Sequence, residues 1–448
     1  MLAACGVHSY APSAASGSYS IAGMAPPPAI AAPAPAQGTE PYADYGVNPQ
    51  VDASRDRIST FAVDVDTASY TITRRKLKEG TLPPYQAVRA EEYINFFDYG
   101  YSTPAAGAPF AVDIAAAPSP LEKGHEIVRV GVQGKRVSAA ERKHVHGSVR
   151  EVLKPTGIDQ KAKILSAIDD LNAGGSTVMS SGIELAYKLA SQTFVPGEVS
   201  RVVVLSDGDA NVGSTSHEEI LQSIAQYKDK GITPSTVGFG SGNYKYEMLE
   251  QLADKGDGHY VYIDSEEQAR HVFAEATDGL LQVIARDVKV QVEFDPEVVK
   301  TYRLMGYENR DVADKDFRND KVDGGAVGEG HEVTALHDVV FQPNMAARAP
   351  LTVHLRYKGA TGGQATEQAY PMATQSVSAA PASLRFATAV ASFADVLRKS
   401  PYAGSFQLTD IARIANASTE DRQERKEFVQ LVGKANELGG GDKALAKN

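Results

Sequence analysis

The feature that most constrains this chain is a run of alternating helical and strand patterns across residues 158–284. Helical periodicity over 158–171, 181–193, 216–230, 244–255 and 266–284 is interleaved with strand patterns over 201–206, 233–239 and 259–263. Val202-Val203-Val204-Leu205 is a continuous apolar run, which suits a strand covered on both faces in a parallel sheet. Repeated βα units of this kind wind into an open parallel sheet with helices on both faces. Strand patterns dominate on either side, at 59–66, 110–115 and 126–133 before the run and at 287–294, 298–307, 332–341 and 350–357 after it. The expected fold class is therefore α/β. An incomplete, doubly wound, Rossmann-like sheet is inserted between β-rich segments, which we expect to form one split β-sandwich. Helical patterns over 381–399, 405–415 and 418–437 add a C-terminal helical region.

The expected boundaries are a spacer at 1–56, an N-terminal β-rich domain at 57–140, the α/β domain at 141–285, a second β-rich segment at 286–375 and the helical segment at 376–448. Asn309–Glu329, polar and Gly-rich, reads as a surface loop. A net charge of −11 excludes a sequence-independent grip on nucleic acid, which requires a basic surface. No run of eighteen apolar residues is present, so no spanning helix is expected.

Cys5 is the only cysteine, which excludes an intramolecular disulfide and a cysteine-based zinc site. Leu2-Ala3-Ala4-Cys5-Gly6 resembles a bacterial lipobox, and the basic and apolar leader that should precede it is expected upstream of this sequence. Residues 7–39 contain no Asp, Glu, Lys or Arg and are rich in Ala, Pro, Ser and Gly, a composition that cannot bury enough apolar surface to order itself. We expect a flexible tether to a lipid anchor at Cys5, placing the protein at the bacterial cell envelope.

Ligands in open α/β sheets bind beyond the carboxyl ends of the strands. There the sequence sets Leu205-Ser206-Asp207-Gly208-Asp209 directly after the most apolar strand, and Gly174-Gly175-Ser176-Thr177 ahead of a helix. A hydroxyl and a carboxylate at such an edge suit a hard cation, Mg²⁺ or Ca²⁺. The same residues also suit plain helix capping.

These motifs, with Val237-Gly238-Phe239-Gly240 after them, resemble a bacterial von Willebrand factor type A (VWA) domain, and most closely the YfbK-type envelope family. Ser59–Tyr70, Leu82-Pro83-Pro84, Leu384–Ala387 and Phe428–Val432 extend the resemblance over roughly 57–438. The resemblance implies a metal-ion-dependent adhesion site, in which an Asp-x-Ser-x-Ser loop, a Thr and an Asp hold a cation that a partner's carboxylate completes. Thr177 and Asp207 match the later ligands. The first loop has no counterpart: after Glu141-Arg142-Lys143 the chain runs through His144 to Pro155, without the family's first strand, first helix and second strand. Two oxygen side chains are too few for either ion, so the expectation is no resident cofactor and weak or absent Mg²⁺ or Ca²⁺ binding. A missing central strand must be replaced, with Glu126–Gln133 or Ser148–Leu153 as candidates.

Three readings follow: a non-enzymatic module that binds an unidentified protein partner; a truncated or decayed paralogue; and a metal-dependent hydrolase using Asp64, Asp66 and Asp207. The remaining motifs are weaker. His144-x-His146 lacks a third zinc ligand at a useful spacing. Asp311, Asp314, Asp316 and Asp320 lack the Gly and Glu of a Ca²⁺ loop. Gly238-x-Gly240-x-Gly242 lacks dinucleotide spacing.

Overall fold

The computed structural model describes residues 2–4, 42–63, 66–136, 153, 156–157, 159–169, 179–195, 198–206, 224, 226–228, 230–239, 246–275, 282–322, 324–343, 348–373, 380–404 and 406–439. Three sheets organise them. The first is parallel and contains β6 (Ser200–Ser206), β7 (Ile232–Gly238) and β8 (His259–Tyr262), with β1 (Leu2–Ala4) beside β6. The second is antiparallel, in the order β2 (Val51–Asp52), β10 (Val299–Met305), β12 (Glu332–Phe341), β5 (Glu126–Gly134), β4 (Phe110–Pro118). In the third, β9 (Val283–Phe294) pairs with β3 (Ile58–Ala62) and β11 (Val327–Gly328) on one edge and with β13 (Leu351–Gly359), then β14 (Gly362–Pro371), on the other.

The second and third sheets form the sandwich. Val128, Val130 and Val132 of β5 share a buried apolar core with Val288, Val290 and Val292 of β9, as period-2 patterning requires. Both sheets draw strands from before and after the α/β insertion, so the sandwich is split as expected. Ile127, Ala115, Ala117 and Leu336 join a second core on the far side of the second sheet. That core is closed by α2 (Ala90–Ile94), α7 (Ala382–Leu397), α8 (Leu408–Asn416) and α9 (Gln423–Leu438). The order across this part is sheet, sheet, helices.

Several expectations change. Glu126–Gln133 does not fill the α/β sheet. It forms β5, because a short turn lets it pair with β4 over nine residues, whereas a parallel slot would need a long crossover. Of Ser148–Leu153, only Leu153 is described. Beside β6 the structure instead sets Leu2–Ala4, pairing in parallel with Val203–Leu205. The helix expected over 266–284 stops early: α6 (Glu266–Arg270) passes into a π-helical turn, His271–Glu275, and Val283 already belongs to β9. Asn309–Glu329 is more than a surface loop, since Phe317 and Val327 within it are fully buried. Structured chain also begins before Arg57: Asn48 donates through Nδ2 to the carbonyls of Leu304 and Gly306 at 3.2 and 2.7 Å.

The α/β core lies between the parallel sheet and two helices, α4 (Met179–Gln192) and α5 (Tyr246–Lys255). It includes Ile183, Ala186 and Tyr187 with Val202, Val204, Leu249 and Leu252. Helix α1 (Ala68–Lys78) joins it from outside the insertion. Ala68 and Ile72 pack into this core, while Tyr70 and Leu77, on the opposite side of the same helix, enter the helical core. Between them Arg74 makes a bidentate pair with Asp264, Nη2 to Oδ1 at 2.5 Å and Nε to Oδ2 at 2.7 Å, and reaches Glu427 of α9 at 3.4 Å. Arg75 donates to the Tyr262 hydroxyl at 2.8 Å.

The Arg74 and Asp264 side chains are 7% and 2% exposed, so removing either partner strands a buried charge. Arg74→Ala is expected to destabilise the protein by about 3–5 kcal/mol, read as a lower urea midpoint. The paired change Arg74→Met with Asp264→Leu should recover most of that loss. A single-variant midpoint equal to wild type would show that the pair does not hold the helix.

Candidate functional site

The carboxyl edge of the parallel sheet is level. Ser206 pairs in register with Gly238, and Gly238 with Tyr262. The next residues continue the ladder: Phe239 N–H donates to Ser206 O at 2.9 Å and Ile263 N–H to Gly238 O at 2.8 Å. Asp207 follows β6 directly and Thr177 stands two residues before α4; both lie outside the described residues, as do Cys5, Asp64, His144, His146, Gly240 and Gly242. Among the described residues of this edge, the carboxylate is Asp264, and Arg74 occupies both of its oxygens. It is therefore not available to a cation.

Asp66 has a structural role. Its Oδ1 accepts the Tyr260 amide of β8 at 2.9 Å, and its Oδ2 lies 3.4 Å from Arg310 Nη2, which also pairs with Asp254 of α5 at 2.5 Å. The carboxylate thus ties the segment before α1 to the α/β sheet and to the loop after β10. Three of the four loop aspartates have protein partners of their own. Asp314 accepts from Thr60 at 2.6 Å, Asp316 from Asn319 at 2.8 Å, and Asp320 pairs with Arg356.

At the opposite, amino edge the structure gathers a cationic cluster with no trace in sequence spacing. Arg201 is the second residue of β6, His259 opens β8, and His331 lies in the turn before β12, its ring 5.2 Å from that of His259. Arg201 Nη1 donates to Ser235 Oγ at 2.6 Å and to His259 Nδ1 at 3.2 Å. His259 Nε2–H donates to Ala326 O at 3.1 Å, which fixes the neutral tautomer and bridges the parallel sheet to the sandwich. Burial, then the Arg201 charge, holds His259 well below its ordinary pKa. The same causes push His331 down to about 4. Burial, with Arg286 nearby, pushes Arg201 down to about 9, so it remains charged at neutral pH.

A cavity of about 200 Å³ lies between residues 43–47, 85–89, 308–309 and 398–399. Its charged walls are already matched: Arg398 pairs with Glu308 at 2.8 Å, and Glu91 accepts the Tyr307 amide at 2.9 Å. It is a junction between the N-terminal segment, the sandwich and α7.

A parallel sheet flanked by helices is the α/β arrangement of the VWA class. The family described as "von Willebrand factor type A domain" matches residues 131–275, "von Willebrand factor" matches 36–129, and "Uncharacterized protein YfbK, C-terminal" matches 279–438. The chain is 31% identical over 465 aligned residues to Uncharacterized protein YfbK of Escherichia coli K12, covering 88% of this chain and 81% of that protein. It belongs to the YfbK family of VWA proteins. Inter-alpha-trypsin inhibitor heavy chain H3 of Bos taurus is 25% identical over 203 residues, 42% of this chain and 21% of that protein. Among solved structures, a von Willebrand factor type A protein from Catenulispora acidiphila aligns with a TM-score of 0.41 at 14% identity, covering 72% of this chain and 89% of that one. The ArnB paralog VWA2 from Sulfolobus acidocaldarius aligns at 0.33 and 12%, covering 74% and 98%.

The buried histidines make stability depend on pH. Their folded pKa values are depressed, so the stability they carry is complete above the unfolded value of about 6.5 and is lost as pH falls toward the folded values. Each group contributes up to about 1.4 kcal/mol per pH unit through that window. Urea midpoints should hold between pH 7 and 8 and decline from 6.5 toward 4. His259→Gln, which keeps a donor for Ala326 O, should flatten that decline; an unchanged slope would remove His259 from the account.

Proposed function

We propose that the protein is a non-enzymatic cell-envelope component that binds another protein through its VWA domain. The adhesion site is degenerate, retaining Thr177 and Asp207 without the Asp-x-Ser-x-Ser loop. Intact members of this class hold a divalent cation at that site. Here the sequence supplies two ligand positions, and Asp264, a described carboxylate just beyond β8, is committed to Arg74. That donor set does not fit Mg²⁺ or Ca²⁺, so partner binding is metal-independent.

The observation that carries the binding reading is the exposure of apolar side chains among the described residues of the α/β unit. None of the residues of α3 (Lys161–Asp169) is buried. Leu165 and Ile168 are 48% and 45% exposed, and Leu185 of α4 is 39% exposed. Their exposure supports a partner-covered surface on this unit, of the kind that a contiguous apolar patch marks.

The N-terminus supports an edge-pairing mode. Leu2–Ala4 already pairs with β6 as a parallel apolar strand. Cleavage ahead of Cys5, as a lipoprotein requires, would remove that strand and leave the β6 edge open to an extended segment of the partner. Decay of the domain is the second reading, favoured by the same exposure of α3, and limited proteolysis separates the two. Rapid cleavage across 140–285 with resistant flanks would support decay.

A photo-crosslinking residue at Leu165 or Leu185 should capture a discrete envelope protein, undiminished by EDTA. The same residue at Gln364, exposed on β14 of the sandwich, should capture none. Capture only from Gln364, or loss of capture in EDTA, would overturn the reading. With the natural gene expressed whole, Cys5→Ser should move the protein from the membrane to the soluble fraction; unchanged membrane association would refute the anchor.

A further inference from the structure

We propose that the turn between β4 and β5 is a binding site for a zinc-class divalent ion, held by Glu122 and His125 with Asp338 positioning the imidazole. The site lies in the sandwich and uses none of the VWA residues.

Hydrogen bonds to backbone amides fix the turn that carries both side chains. Ser119 Oγ accepts the amides of Leu121 and Glu122 at 3.4 and 3.1 Å. Ser119 N–H donates to His125 O at 2.8 Å, and Gly124 takes the left-handed conformation, φ +87°, that closes the turn.

His125 Nδ1 lies 2.7 Å from Asp338 Oδ1. Asp338 is on β12, paired in register with Ile127 of β5, and its side chain is 7% exposed. Its second oxygen faces the buried Arg303 at 4.0 Å. A carboxylate held beside a guanidinium accepts rather than donates, so the Nδ1–H bond is directed to Asp338 and the Nε2 lone pair is aimed away from it. Carboxylate–histidine pairs of this form orient metal-ligating imidazoles in known metal sites.

Nε2 faces Glu122 Oε1 at 3.5 Å. That separation exceeds the N–H···O range of roughly 2.7–3.2 Å. It matches the spacing of two ligand atoms bound tetrahedrally at about 2.0–2.2 Å. In the neutral ring, a lone pair and a carboxylate oxygen face each other, an arrangement that a cation between them would relieve. The Glu122, His125 and Asp338 ligand atoms all lie within 4.8 Å of one another.

The pair opens on a cavity of about 510 Å³ lined by residues 118–126 and Phe341, with room for the water ligands a two-residue chelate requires. Glu126 lines the same cavity. No ion pair neutralises it among the described residues. Lys123 shares the wall and opposes a doubly charged ion, so affinity should fall short of four-ligand structural zinc sites. One nitrogen and one or two carboxylates suit Zn²⁺, Co²⁺ or Ni²⁺ and disfavour Mg²⁺, which demands an oxygen shell.

The test uses untagged full-length protein stripped with EDTA and titrated with Zn²⁺ by calorimetry and with Co²⁺ by visible absorption. One saturable site is expected, not displaced by Mg²⁺. Glu122→Gln and His125→Asn should each abolish it; Glu122→Gln, at a half-exposed side chain, should leave the metal-free thermal midpoint unchanged, whereas His125→Asn also removes the contact to Asp338 and is read by metal binding alone. Asp338→Asn should retain the site but weaken it about 10-fold to 100-fold. No saturable binding at millimolar metal, or binding unaltered by Glu122→Gln and His125→Asn, would overturn the proposal and leave the cluster as an ion pair around a protonated imidazole.

Discussion

The Arg74–Asp264 pair is the contact on which the rest of the arrangement depends. Arg74 sits on α1, encoded before the α/β insertion, Asp264 follows the last parallel strand within it, and Glu427 on α9 comes near the chain's end. A charged pair this buried is stable only when its geometry is satisfied on every side. Here a fork of two N–H donors meets two carboxylate oxygens, with Gln268 Oε1 accepting a third bond at 3.2 Å. Because α1 has one apolar side in the α/β core and the other in the helical core, the pair locks the register between the two. Asp66 repeats the logic a few residues earlier by holding both the β8 backbone and Arg310.

The insertion explains the division of labour in the molecule. A sandwich assembled from strands on both sides of a long excursion forms only if the excursion returns its ends close together. The chain leaves from β5 and re-enters at β9, and Val128, Val130 and Val132 meet Val288, Val290 and Val292 across the sandwich core. The α/β unit is thus carried on a base built from strands that precede and follow it in the chain. Its amino edge rests on the sandwich through Arg201, His259 and His331, a buried and positively charged contact that tolerates neutral imidazoles and resists protonated ones.

The division into a parallel sheet and a split antiparallel sandwich was legible in the sequence because hydrophobic periodicity is local. Four consecutive apolar residues at 202–205 and alternating valines at 128–132 state which faces each strand buries. The errors arose where a segment's partner, rather than its own pattern, decides its place. Residues 126–133 read equally well as a parallel or an antiparallel strand, and the nearby β4 settled the matter. The 266–284 helix ended early because its final apolar residues were claimed by β9. In Asn309–Glu329 the Gly-rich composition concealed Phe317, which tertiary contacts bury completely. The hairpin strand β14 was missed because most of its residues face solvent and leave no apolar trace.

The sequence by itself determined the fold class and the family, since these depend on residue type and order along the chain. Only the tertiary structure decided which charges meet. Asp66 and Asp264 look like free carboxylates in sequence and prove to be committed to a backbone amide and to arginines. Glu122, His125 and Asp338 look unrelated, with more than two hundred residues between the last two, and converge on one turn. The physical reason is that apolar patterning is written residue by residue into each element, whereas electrostatic partnership depends on distances that exist only after the sheets have packed.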